Sequence, residues 1–183
     1  MLGNTTYTMH GRQVSLQHVS TDTLSKVKRL NSVLFPVQYG HSFYKALLMP
    51  DQHAMLAFVD VSTDKEKCIG TVGVRKQPWG FADSPAGAMQ RPGAPAVLEA
   101  YIMTLGVLAP YRRLGVGKVL LDSAIRYARA DPAVRRLVLH VHITNDDALR
   151  FYHASGFSTV RIVENYYRRI EQPHAYLLEY RVR

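Results

Sequence analysis

The sequence predicts an α/β fold: a mixed central sheet with parallel core strands, flanked by helices. Strand-like and helix-like stretches alternate through residues 98–163, the pattern of parallel strands joined by right-handed crossovers. Residues 105–121 read as an apolar strand, a tight loop and a helix. The chain has 183 residues and 47% hydrophobic content, enough for a real core in a single domain, 1–183.

Taken in order, residues 1–10 form an N-terminal extension and 11–19 a first strand. Thr21 and Asp22 start a helix with Leu24, Val27, Leu30 and Leu34 along one side. Pro36 breaks it, because proline lacks an N–H and biases Phe35 to extended backbone. A short helix at 41–49 follows, and 54–60 with 67–75 make a hairpin. Residues 76–97, with four prolines and three glycines, read as a long inserted loop. Residues 98–108 are a strand, and 114–130 a helix that Pro132 stops from continuing. The stretch 136–143 is a second strong strand. Thr144 to Asp147 resembles a capping box, opening a helix that Gly156 closes. The stretches 157–163 and 174–182 are the last strands.

Cys68 is the sole cysteine, which excludes an internal disulfide and fits a reducing compartment. It sits in a strand-like run and is expected to be buried rather than nucleophilic. No Cys/His spacing suggests a metal site. No apolar run is long enough to span a membrane, and no signal peptide is expected, so a cytoplasmic location is inferred. The net charge of +9 is dispersed and attracts polyanions such as the ribosome or phosphorylated ligands. None of the sequence-specific nucleic-acid-binding motifs is evident.

The loop Arg112-Arg-Leu-Gly-Val-Gly117 precedes a helix N-terminus. That layout aims backbone N–H groups at one spot, and Arg112, Arg113 and Lys118 add positive charge, which suits a diphosphate. An ordinary strand-to-helix turn with two glycines is the bland alternative. On the strand 98–108, Tyr101, Met103 and Leu105 share one face; on 137–143, His140 and His142 share the face opposite the leucines. Either histidine could be a hydrogen-bonded core residue or a general base, with Tyr101 as partner. Tyr152 lies in the helix opened by Asn145 and is placed to pack in the core or at the surface. Tyr166 and Tyr167 are either half-buried loop aromatics or a grip on a peptide backbone.

The acetyl-CoA loop pattern, Phe35-Pro-Val-Gln-Tyr39, Tyr101-Ile-Met-Thr-Leu105 and Asn165-Tyr-Tyr-Arg-Arg-Ile170 together resemble the GNAT N-alpha-acetyltransferases of the San type, the catalytic subunits of NatE. The resemblance covers roughly residues 12–180 and is interrupted at 76–97. It implies a GNAT domain whose parallel core strands splay apart. It implies acetyl-CoA as cosubstrate, held by Leu105, Val107, Arg112, Arg113, Leu114, Gly115, Val116, Gly117, Lys118, Asn145 and Tyr152. Tyr101 and His140 would act as general base through an ordered water, His140 being preferred over His142 because it holds the family position. Phe35, Pro36, Val37, Tyr39, Met103, Tyr166, Tyr167 and Ile170 would line the peptide site. The implied substrates are nascent polypeptide N-termini beginning with Met and a hydrophobic residue, Met-Leu above all. The implied partners are the two-subunit NatA complex and the ribosome.

Acid–base chemistry supports an α-amine independently. Its pKa is about 7.7–8.0 against about 10.4 for lysine, a difference of ~2.5 units or ~3.4 kcal/mol in deprotonation. The competing readings are a lysine or small-amine GNAT enzyme and a non-catalytic acetyl-CoA-binding subunit. The chain itself begins Met1-Leu2 and so fits the implied substrate rule. Self-acetylation at Met1 is therefore expected. An intact-mass spectrum of purified protein with acetyl-CoA should gain one acetyl group mapping to Met1, and no gain there would refute it.

Overall fold

A computed structural model describes residues 5–9, 11–60, 66–83, 97–167 and 170–182. Met1 and most of the expected 76–97 loop, residues 84–96, lie outside the described residues. Among the described residues, eight strands, β1 (Thr5–Met9), β2 (Arg12–His18), β3 (Gln52–Val59), β4 (Lys67–Pro78), β5 (Leu98–Val107), β6 (Val134–His142), β7 (Ser158–Val163) and β8 (Ala175–Arg181), hydrogen-bond in the order β1-β2-β3-β4-β5-β6-β8-β7. The chain divides into two compact units: Met1–Arg75 with Met103–Ala124, and Lys76–Ile102 with Ile125–Arg183.

In the first unit, β1 (Thr5–Met9), β2 (Arg12–His18), β3 (Gln52–Val59) and the start of β4 (Lys67–Pro78) form an antiparallel meander. The expected hairpin at 54–75 is therefore present. The N-terminal extension is not structureless: Thr5–Met9 pairs with β2 from Thr5↔Leu16 to Met9↔Arg12. Helix α1 (Leu24–Leu34) begins three residues later than Thr21, after the N-cap Thr23. The Thr23 hydroxyl instead accepts from the Ser20 N–H at 2.8 Å. Val27 and Leu30 of α1 are buried with Tyr44, Leu47, Leu56 and Phe58. Tyr44 belongs to α2 (His41–Ala46).

In the second unit, β5 (Leu98–Val107, shared between the units) lies parallel to β6 (Val134–His142). Their ladder runs only from Leu98↔Val134 to Tyr101↔Val138. Beyond that point β6 keeps one hydrogen-bonded neighbour, β8 (Ala175–Arg181), as splayed parallel strands require. The expectation of successive parallel pairs through residue 163 needs correction. β8 inserts between β6 and β7 (Ser158–Val163) and is antiparallel to both. Helix α3 (Val116–Arg129) is long, and α4 (Asp146–Ala154) is shorter. Asn145, not Thr144, caps α4: its Oδ1 accepts from the Ala148 N–H at 3.1 Å.

The charge network of this unit was not expected. β4 extends to Pro78, so the inserted loop starts later than residue 76. Glu99 is fully buried and stands opposite Arg136 in the β5–β6 register. Arg136 donates to Glu99 Oε2 through Nε at 2.9 Å and Nη2 at 2.7 Å. Glu99 also accepts from Gln77 Nε2 at 2.7 Å, Ala82 N at 2.7 Å and Gly80 N at 3.2 Å. Breaking a buried pair strands a charge and costs about 3–5 kcal/mol, whereas apolar replacement of both partners is often tolerated. Urea unfolding should show such a loss for Glu99→Ala, and the Glu99→Leu/Arg136→Met double variant should recover most of it.

Candidate active site

The side chain of Tyr101 leaves β5 at the last register pair shared with β6. Its phenol oxygen lies 2.9 Å from His140 Nδ1 and 2.8 Å from the Tyr166 hydroxyl. The Tyr166 ring stacks on the imidazole at 4.1 Å between centroids. One phenol thus bridges an imidazole and a second phenol, and the three residues come from β5, β6 and the segment after β7. His140 Nε2 is buried and, among the described residues, has no hydrogen-bond partner. Burial, with a smaller contribution from the Arg161 cation and partial compensation by Asp83, pushes His140 from 6.5 to about 4. The imidazole is therefore neutral throughout the physiological range.

His142 is differently engaged. Its Nε2 is 2.6 Å from the Gln172 carbonyl and its Nδ1 2.7 Å from the Thr144 hydroxyl. Both ring nitrogens serve the local chain, the tilted Tyr167 ring lying at 5.4 Å. The Tyr167 N–H donates to the Pro173 carbonyl at 2.8 Å, which shapes this segment. Tyr166 and Ile170 are partly exposed. Tyr152 packs between Phe151 and Phe157, and burial raises its pKa, keeping the phenol neutral.

In the first unit, Leu108 is followed by a 3₁₀ turn at Ala109–Tyr111 and the Arg112–Gly117 loop. Arg113 and Gly115 have φ of 63° and 84°. Both are left-handed, and a non-glycine residue there is uncommon outside strained functional segments. The Val119 N–H reaches the Gly115 carbonyl at 3.2 Å, so the N–H groups of Val116, Gly117 and Lys118 precede the helical ladder. Arg112 and Arg113 are exposed, while Lys118 pairs with Asp122 one turn on. Arg112 Nε donates to the Val107 carbonyl at 3.0 Å.

Phe35 is extended, as the following proline dictates. Its ring meets Tyr39 edge-on at 6.2 Å, and Tyr39 stacks on Phe43 at 4.2 Å. Gly106 makes this arrangement possible. A Cβ there would lie 2.9 Å from Leu34 and 3.1 Å from the Phe35 ring. Met103 packs at the edge of the same apolar cluster. Pro36 and Val37 are exposed. Burial pushes the Cys68 thiol up to about 11, so it is not a thiolate at neutral pH.

The Acetyltransferase (GNAT) family model matches residues 24–157. N-alpha-acetyltransferase 50 of Danio rerio is 35% identical over 93% of this chain and 89% of its own length. The probable N-acetyltransferase san of Drosophila melanogaster is also 35% identical, over 91% of this chain and 79% of its own. The chain belongs to the GNAT acetyltransferases, in the Naa50/San group of N-terminal acetyltransferases. The solved structure of Arabidopsis thaliana Naa50 with the bisubstrate analogue CoA-Ac-MVNAL matches this GNAT enzyme with a TM-score of 0.72. That match has 31% identity and covers 91% of this chain and 97% of the other.

Glu99, Arg136, Asp83 and Arg161 escaped the sequence reading. The available signal was periodicity: Glu99 shares a face with Tyr101, and Arg136 with His140. For this acetyltransferase the neutral histidine has a thermodynamic consequence. The unfolded chain takes up a proton near pH 6.5 and the native one only near 4, so stability is intact above 6.5 and falls as pH drops toward 4. The loss approaches roughly 3 kcal/mol. Urea midpoints should fall less steeply with pH over this window for His140→Asn than for the parent.

Proposed function

We propose that this N-terminal acetyltransferase acts on polypeptides starting with Met and a hydrophobic residue, with Tyr101 and His140 as its general base. The observation that carries the reading is the bonded set Tyr166–Tyr101–His140, with its neutral imidazole. The acyl donor is acetyl-CoA. The first unit fits its diphosphate: Arg112 and Arg113 supply charge, and Val116, Gly117 and Lys118 supply N–H groups ahead of a helix of 14 residues. Among the described residues a Cβ at Gly115 would meet Met9 Sδ alone, at 3.7 Å, so the backbone there can be approached closely.

The amine nitrogen attacks the thioester carbonyl carbon, the C–S bond breaks, and the released thiolate takes a proton from solvent water. Acid–base matching defines what His140 does. An imidazole with a pKa near 4 does not strip an ammonium of pKa about 7.7–8.0 in advance. It accepts the proton as the N–C bond forms, when the attacking nitrogen becomes strongly acidic. The proton travels through an ordered water to the Tyr101–His140 pair. Tyr152 holds its own proton too firmly to be a strong acid, which favours hydrogen bonding to the thiolate over full transfer. Asn145, already capping α4, contributes to the coenzyme side with its remaining amide N–H groups.

Phe35, Pro36, Val37, Tyr39 and Met103 form the proposed apolar wall for the first residues, and Tyr166, Tyr167 and Ile170 take the peptide backbone. The relative solved with an analogue bearing MVNAL, a Met followed by an apolar residue, supports this preference. The proposed setting is cytoplasmic, on nascent chains at the ribosome, with a NatA-type complex as partner. Among the described residues no helix is long and apolar enough to cross a membrane.

Thiol release from acetyl-CoA should be fastest with Met-Leu peptides among Met-Leu, Met-Ala, Ser- and Ala-starting peptides and an N-terminally blocked lysine peptide. His140→Ala should lower turnover by ~10²–10⁴-fold. Phe35→Ala should weaken peptide use while leaving acetyl-CoA binding intact. Preference for the blocked lysine peptide, or turnover unchanged in His140→Ala, would overturn the corresponding part.

A further inference from the structure

The second unit contains a charged pair that the acyl-transfer chemistry does not use. Asp83, in the segment after β4, accepts from Arg136 Nη2 and stands 3.7 Å from Arg161 Nε on β7. Arg161 Nη2 also donates to the Asp83 backbone carbonyl. Asp83 is held in place from below. Glu99 receives the Gly80 and Ala82 N–H groups, and the Trp79 ring lies 4.3 Å from the Arg136 guanidinium.

The strand register connects this pair with the imidazole. His140 on β6 and Arg161 on β7 are both register partners of Leu177, on the strand between them. Residues directly opposite one another point to the same face of a sheet. His140, Leu177 and Arg161 therefore form one row across three strands, with Arg161 two strand spacings, roughly 10 Å, from His140. Leu177 is apolar and buried, so no charge on β8 intervenes in the row. Tyr101 from β5 and Tyr166 from the segment after β7 contact the imidazole; the charges on the elements around it are Arg161 on β7, its partner Asp83 after β4, and the pair of Arg136 on β6 with Glu179 on β8.

We propose that Arg161 and Asp83 are a positioning pair that sets how readily His140 takes a proton, Arg161 opposing protonation across Leu177 and Asp83 tempering it. Neither touches the reacting atoms. The pair's relevance to turnover rests on the general-base reading of His140; its effect on His140 itself does not. The depressed His140 value, in which Arg161 acts downward and Asp83 upward, agrees with the geometry.

The test is an NMR titration of histidine ring carbons in the full-length protein at low salt, the His140 resonance being assigned by its loss in His140→Asn. Arg161→Gln should move the His140 titration upward by roughly 0.3–1 pH unit, the range for a unit charge at this distance between aqueous and protein-like screening. Asp83→Asn, which keeps the carbonyl that Arg161 uses, should move it downward. Arg161→Lys, retaining the cation, should stay close to the parent. Shifts of the same sign in Arg161→Gln and Asp83→Asn, or no shift in Arg161→Gln, would overturn the proposal. A perturbed fold would move all three variants, so the opposed signs and the lysine rescue separate electrostatics from damage. The titration is read on the free protein, so it stands whether or not His140→Ala loses turnover.

Discussion

The buried pair of Glu99 and Arg136 is the constraint on which the second unit depends. Neither charge could remain in so apolar a setting without the other, and each brings further groups with it. Glu99 uses its second oxygen and remaining lone pairs on Gln77, Gly80 and Ala82, fixing the turn after β4. Arg136 reaches Asp83 on that turn and Glu179 on β8, at 3.3 Å for the latter. The pair thereby ties the turn, β5, β6 and β8 together two register pairs before the β5–β6 ladder stops. Tyr101 and His140 project from the same two strands just beyond it. A strong polar staple on the closed side of the splay permits the ladder to end while the strands keep their register.

The first unit solves a different problem with apolar contacts. An aromatic wall has to sit beside a strand without being pushed out by it. Gly106 removes the side chain that would collide with Leu34 and Phe35, and Pro36 sets the extended backbone that turns Phe35 inward. The Arg112–Gly117 loop concentrates its unusual backbone in two residues, leaving α3 regular from Val116 onward. A small number of conformationally special residues thus shapes each of these segments, while ordinary hydrophobic packing holds the rest.

Much of this was legible from local pattern. The strand–loop–helix at 98–130, the Phe35-Pro36 break, and the shared faces of Tyr101 with Met103 and of His140 with His142 follow from spacing and from proline and glycine chemistry; the choice of His140 over His142 came from the family resemblance. Two kinds of feature were not. Neighbour identity in a sheet is a long-range property: residues 175–181 read as a strand, but nothing local reveals that they insert between β6 and β7. Thr5–Met9 is a short, mostly exposed edge strand whose partner supplies the order that its own composition leaves undetermined. The charge network combines residues far apart along the chain, so its only local trace is a charged side chain at an inward position of an apolar strand.

The insertion of β8 between β6 and β7 also bears on how the protein comes into being. β6 carries the histidine, yet its ladder along residues 139–142 is made entirely with a strand formed by residues 175–178. Contacts of such sequence separation close late, because the intervening loop must lose its freedom before the pairing returns anything. During synthesis, which proceeds from the N-terminus, the meander and α1 can pack early, whereas the imidazole's strand waits for residues 175–178 to be made. The row that holds the imidazole is therefore completed only after β8 has been made, well after β6 itself.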